Sequence, residues 1–118
     1  GFVQNDFDRS EITYQLHEGD VQIVPGVHAV LTDGHTPGHQ SLVVDLPSKR
    51  FVLTGDAAYR RDQIDRLIPM PTTTDEYAAI KSLARLKAFE ERDGATILVA
   101  HDIEQWKTTL KSPDGHYE

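Results

Sequence analysis

Five short apolar runs, each cut off by glycine, proline or a polar cluster, limit what this chain can fold into. Val21–Val24 stops at Pro25-Gly26 and Val27–Leu31 resumes; residues 41 to 46 and 51 to 54 flank the polar connection Pro47-Ser48-Lys49-Arg50; residues 96 to 100 lie between Gly94 and His101. Brief β-prone runs bounded by turn formers read as strands, and the first four as two hairpins. From Thr73 the texture changes. Thr73 followed three places later by Glu76 resembles a capping box, and Tyr77, Ile80, Leu83, Ala84 and Leu86 recur at helical spacing as far as Gly94. This spacing predicts a helix over 74 to 92 with Ile80, Leu83, Ala84 and Leu86 in the core. A shorter helix is expected over 103 to 111, with Trp106 and Leu110 on one side. The order hairpin, hairpin, long helix, strand, short helix is an α/β layer arrangement with one sheet face covered by helix. Residues 1 to 19 read as polar and irregular.

Three side chains stand at the ends of these runs. His39 precedes its strand inside Gly34-His35-Thr36-Pro37-Gly38-His39, where Pro37 fixes one backbone angle and Gly38 permits a conformation other residues avoid. Asp56 follows the run 51 to 54, and His101 follows 96 to 100. If these strands share a sheet, the three converge on one rim, held by a stiff scaffold yet open to solvent. Imidazole and carboxylate are ligand types that zinc, manganese and iron accept, and a carboxylate between two imidazoles can bridge two cations. A metal-assisted hydrolase is therefore the leading reading, although three residues are too few to complete a pair of metal sites. Each residue also has a plainer reading. Gly55-Asp56 suits a turn, Tyr59 suits packing as well as donation to a developing oxyanion, and Asp102 either orients His101 or caps the final helix. His35 is expected to support His39 rather than to ligate, and His17, His28 and His116 are assigned no role.

Composition narrows the choices further. At 118 residues, with 38% apolar and 26% charged content, a single globular domain over 1–118 is expected. The absence of cysteine excludes disulfides and thiolate-held zinc. A formal net charge of −7 argues against nucleic acid and anionic lipid as partners, leaving neutral or weakly polar small molecules. No apolar run approaches the roughly 18 residues of a membrane span, and no charged-then-apolar leader is present. A soluble, cytoplasmic protein is the expectation. The first residues, Gly1-Phe2-Val3, lack Met, so the start reads as a processed or cut end.

Taken together, GDVQIVPGVHAVLTDGHTPGHQSLVV, LTGDAAY and AHDIEQW resemble the C-terminal half of a metallo-β-lactamase-fold hydrolase, specifically the N-acyl-homoserine lactonase family. The resemblance spans about residues 18 to 110. It implies half of an αββα sandwich, a mixed sheet with helices on one face, and a site for two divalent cations, usually zinc, at the sheet edge. By resemblance His39 completes the shell of one metal, Asp56 bridges, His101 serves the second metal, and Tyr59 assists at the lactone carbonyl or leaving oxygen. The family's N-terminal His-x-His-x-Asp-His motif does not occur in these residues. The resemblance therefore implies a complementing N-terminal half, in another chain, a second copy or further sequence, and an apolar sheet face left for it. Alone, the chain is expected to be inactive. Two other readings remain at this stage: a noncatalytic fold fragment or assembly module, and another two-metal hydrolase such as a glyoxalase II-like thioesterase.

Overall fold

The computed structural model describes residues 8–118. Residues 8 to 20 contain neither helix nor strand, as expected of a polar stretch, and the same reading of residues 1 to 7 lies outside the described residues. The strands are β1 (Val21–Val24), β2 (Val27–Leu31), β3 (Gln40–Asp45), β4 (Arg50–Leu53) and β5 (Thr96–Leu98). They form one sheet in the order β1-β2-β3-β4-β5, antiparallel through β4, with β5 parallel to β4. The two expected hairpins are thus joined into one meander. Residues 32 to 39 are themselves a hairpin loop, closed where Thr32 N donates to His39 O at 2.8 Å.

Three helices follow in the order α1 (Arg61–Arg66), α2 (Glu76–Asp93) and α3 (Ile103–Thr108). The long helix starts later than its sequence suggests, because Asp75 is its cap, accepting from Ala78 N at 2.9 Å. Thr73 does not form the expected capping box. Thr74 instead donates through both its N–H and its hydroxyl to Gly34 O, which holds this segment against the 32 to 39 loop and out of the helix. Gly94, left-handed at φ 64°, ends the helix. Its buried stripe is Ala79, Ser82, Leu83 and Leu86. Ile80 is only half-buried, while Ala84 and Tyr77 are exposed, so the expected core stripe is corrected at those positions. The face that packs is rotated toward Ala79, following the anchor that Ser82 Oγ makes to Asp33 O at 2.6 Å.

One sheet face supplies Val30, Val43, Val52 and Ile97 to a core shared with Leu83 and Leu86 of α2 and Ile64 of α1. Fully burying side chains of this size contributes about 1.5–3 kcal/mol each. Residues alternate across a strand, so Leu42, Val44, Leu53 and Leu98 belong to the opposite face, where each is half-buried or exposed. Among the described residues, no helix is long and apolar enough to cross a membrane.

Candidate metal centre

The site is built where strands end. β5 stops at Leu98, short of the expected residue 100, because its partner β4 stops at Leu53. The two chains then stay together by other bonds: Thr54 N to Leu98 O at 3.0 Å, Ala100 N to Ala58 O at 3.4 Å and His101 N to Tyr59 O at 2.9 Å. Asp56 lies in a 3-10 turn, Gly55–Ala57, and Ala58 is extended (φ −145°, ψ 121°). No helix runs on from Asp56 to Tyr59. Tyr59 is fixed instead by Gln63, whose side-chain oxygen accepts from Tyr59 N at 2.8 Å and Arg60 N at 3.0 Å.

His39, Asp56, Tyr59 and His101 meet at this rim, and His35 joins them. His101 Nε2 lies 3.4 Å from Asp56 Oδ1, and His35 Nε2 lies 3.6 Å from Asp56 Oδ2. The Tyr59 ring stands 4.2 Å from His101 and 5.9 Å from His35, centroid to centroid, and His35 stands 6.0 Å from His39. Asp56 N–H donates to His39 Nε2 at 3.1 Å, while His39 Nδ1 is 2.9 Å from the buried Thr32 hydroxyl. Gly38, at φ +72°, lets the loop turn back so that its own N–H meets Asp33 Oδ1 at 2.7 Å, aiming His39 inward. Gly55 is needed for a closer reason: at φ +53°, a Cβ there would stand 3.0 Å from His39 Nε2.

Burial, and then the neighbouring His35, pull the His39 pKa below its ordinary value, with Asp56 opposing. The shift favours the neutral ring, which is also the form that accepts the Asp56 N–H at Nε2. Asp102 is the cap of α3, accepting from Glu104 N at 3.1 Å and Gln105 N at 3.3 Å, and it also accepts from Arg61 N at 3.1 Å. Those backbone donors, Arg61 first, keep its carboxyl below the usual range. The capping reading of Asp102 is the one observed.

The donor set suits a borderline divalent cation: imidazoles and a carboxylate, with no thiolate. Two ligands of one tetrahedral zinc, each about 2.1 Å from it, stand about 3.4 Å apart. The Asp56 contacts to His101 and His35 match that spacing and are longer than the roughly 2.7–2.9 Å of a charge-assisted hydrogen bond. His35 Nδ1 is also buried without a hydrogen-bond partner among the described residues. The fit is partial, since no group of three or more such side chains among the described residues is disposed to hold a metal ion by itself. The His39 lone pair faces the Asp56 amide, and the two contacts at Asp56 fall on different oxygens.

Residues 4–101 match the model of the metallo-beta-lactamase superfamily. The chain belongs to that superfamily. Similar proteins include the N-acyl homoserine lactonase AiiA of Bacillus thuringiensis subsp. kurstaki, 36% identical over 104 residues, covering 87% of this chain and 41% of AiiA. N-acyl homoserine lactonase AttM of Rhizobium radiobacter is 34% identical over 124 residues, covering 97% of this chain and 46% of AttM. In three dimensions this member of the superfamily matches the N-acyl homoserine lactone hydrolase solved with the product N-hexanoyl-L-homoserine bound at its catalytic metal center. That match has a TM-score of 0.80 at 35% identity and covers 88% of this chain and 42% of the other. The chain thus spans less than half the length of these relatives. The expected α/β arrangement, with a mixed sheet and helices packed on one face, is the metallo-beta-lactamase fold.

His35 was underweighted by sequence reasoning. Its position four residues before His39, across a Pro-Gly turn, gave no sign that the loop would fold it back onto Asp56. Thr32 and Ser41 carried no signal as hydroxyls, yet they flank His39 at the two sides of a hairpin loop, and that placement is legible once β2 and β3 are paired.

Proposed function

We propose that this chain supplies one side of a dinuclear metallohydrolase site that opens N-acyl-homoserine or related lactones, with the rest of a metallo-β-lactamase-like domain supplying the other ligands. In this reading residues 1–118 are the C-terminal part of that domain, and the exposed Leu53, Ile103 and Trp106 border the face against which the remainder packs. One observation carries it. Asp56 presents its two carboxylate oxygens to two different imidazoles, His101 and His35, which is the arrangement a bridging carboxylate needs.

His101 and His35, which face the two Asp56 oxygens, would each hold one cation with Asp56 between them, and His39 would join a shell only by giving up the Asp56 N–H that its Nε2 accepts. Bound divalent cations, zinc first among them, supply Lewis acidity and lower the pKa of water held there. Tyr59, ringed by His35 and His101, is placed to donate its phenol proton in a hydrogen bond to oxygen that gains charge as the lactone opens. Addition of water breaks the acyl C–O bond and leaves a carboxylic acid and a free hydroxyl. Lactones are favoured over thioesters by the relatives' own activity.

The test is Asp56→Ala in the zinc-loaded protein that contains the full domain, assayed on N-hexanoyl-homoserine lactone and, in parallel, on an acyl thioester. Loss of lactone opening by at least about 10³-fold, with unchanged circular dichroism, is the expected result. Undiminished lactone opening overturns the reading, and a loss confined to the thioester moves the substrate class. Assayed alone, residues 1–118 should bind zinc weakly and turn over negligibly; tight stoichiometric binding of two metals would contradict the shared site.

A further inference from the structure

The hydrogen bonds around His39 form a circuit that begins and ends on the turn carrying Asp56. Thr54 O is a carbonyl and can only accept, so Ser41 donates its hydroxyl proton there, at 3.0 Å. Ser41 has no second proton, so Thr32 donates across the 2.8 Å contact between the two hydroxyls. Thr32 has then spent its own proton, and in its 2.9 Å contact with His39 the imidazole Nδ1 carries the hydrogen. Nε2 keeps a lone pair, and Asp56 N–H donates to it at 3.1 Å. Both ring nitrogens are thus engaged within the protein. The ring also does a task that its neighbour leaves undone. Thr54 stands at the cap of the 3-10 turn Gly55–Ala57, where a hydroxyl ordinarily accepts from the turn's first amides, yet it makes no such bond. Its hydroxyl is turned to Ala58 O at 2.9 Å and Gly55 O at 3.1 Å. His39 caps the turn in its place, and Gly55, without a side chain, lets the ring come that close.

We propose that His39 is a positioning residue: it caps the Asp56 turn and so aims the Asp56 carboxylate between His35 and His101, instead of ligating a cation itself. The Asp56 side chain is 45% exposed, and its oxygens lie 3.4 Å from His101 and 3.6 Å from His35, too long for strong hydrogen bonds to hold it. What directs it is its backbone, since a held amide fixes the direction in which the side chain leaves the turn. Thr32 and Ser41 carry that hold to the end of β2 and into β3. Thr32 and Thr54 are fully buried and Ser41 is 1% exposed, so water does not compete for the hydroxyl links. The positioning role rests on Asp56 being the shared ligand proposed above, whereas the cap stands without it.

The experiment uses uniformly ¹⁵N-labelled protein that contains the full domain, first zinc-free and then zinc-loaded. A ¹⁵N–¹⁵N coupling between the Asp56 amide and His39 Nε2 is transmitted only through the hydrogen bond that joins them. It should be seen in both states, because a capping ring keeps its bond when cations arrive. A ligating ring gives the bond up, so loss of the coupling on zinc loading overturns the proposal, as does its absence from the zinc-free protein. Zinc titrations of variants supply the second readout. His39→Ala should lower zinc affinity by roughly 10–100-fold, the usual cost of losing a group that orients a ligand. His39→Gln puts a carbonyl where Nε2 stood, and Gln is not among the ordinary ligands of zinc, so recovery of most of that loss marks a cap and not a ligand. A Gln variant as weak as the Ala variant, or an Ala variant at parent affinity, overturns the proposal. His35→Ala is the control: if it leaves zinc affinity untouched, the ligand set proposed above fails, while the coupling still judges the cap.

Discussion

Tyr59 and His101 are tied twice: their rings lie 4.2 Å apart, tilted by 45°, and the Tyr59 carbonyl accepts the His101 N–H at 2.9 Å. The backbone bond fixes the spacing of the segments, so the phenol hydroxyl can be removed without moving the imidazole. Tyr59→Phe in the complete enzyme should lower kcat on a homoserine lactone by roughly 10²-fold, the usual cost of one lost oxyanion donor, with KM little changed. Steady-state kinetics with a thermal melt check this; an unaltered kcat removes Tyr59 from the chemistry.

Gly55→Ala should damage the site more than the fold. The residue is left-handed at φ +53°, which costs a side chain about 1–3 kcal/mol, and the new Cβ would press on His39 Nε2. A modest drop in melting temperature together with lost zinc binding is expected. Zinc affinity at the parent level would show that the ring does not need this approach.

Gln105 holds the segment leading into His101. Its side chain accepts from Val99 N at 2.8 Å and donates to Ile97 O at 2.7 Å, standing in for the strand partner that β5 lacks along its outer edge among the described residues. Gln105→Ala leaves both backbone groups unpaired and should cost about 1–3 kcal/mol, read from urea unfolding. Faster amide exchange at Val99 through His101 would accompany it, and unchanged exchange there would place the loss elsewhere.

Acid sensitivity should trace in part to Asp20. Its carboxyl is held below the ordinary value first by the Arg85 guanidinium (2.9 Å) and then by Leu31 N–H (2.9 Å). With the folded pKa below the unfolded one, the unfolded chain binds more protons. The contribution is therefore complete above about pH 3.9 and is lost as pH falls through the lower folded value. Asp20→Asn should cost at most about 1 kcal/mol near neutrality, since the pair is half-exposed, and should flatten the decline of stability below about pH 4. Urea midpoints measured across that range decide it; an equally steep decline in the variant clears Asp20.

The strands were legible because Pro25-Gly26, the Pro47 to Arg50 connection and Gly94 punctuate apolar runs, and local chemistry of that kind survives folding. That His39, Asp56 and His101 come to one rim was legible for the same reason, each being an abrupt polar residue at the edge of such a run. What escaped notice depends on contacts remote in sequence. α1 has one fully buried apolar residue, Ile64, too little to show a period. The start of α2 moved to Asp75 because Thr74 is bonded to Gly34, forty positions away. His35 and the Thr32–Ser41 pair acquire meaning only after the β2–β3 loop closes.

The parallel pairing of β4 with β5 sets Leu53 opposite Leu98, and Asp56 and His101 each follow their strand partner by three residues. Their separation is thus dictated by a ladder rung and not by how much polypeptide intervenes. The exposed loop between α1 and α2 can lengthen or shorten in a designer's hands, provided Gln63, Thr74, Ser82 and the buried side chains of both helices keep their contacts and the crossover still delivers Thr96 to its rung. Variety in what surrounds this rim can therefore accumulate in that connecting loop while the Asp56 and His101 side chains keep their distance.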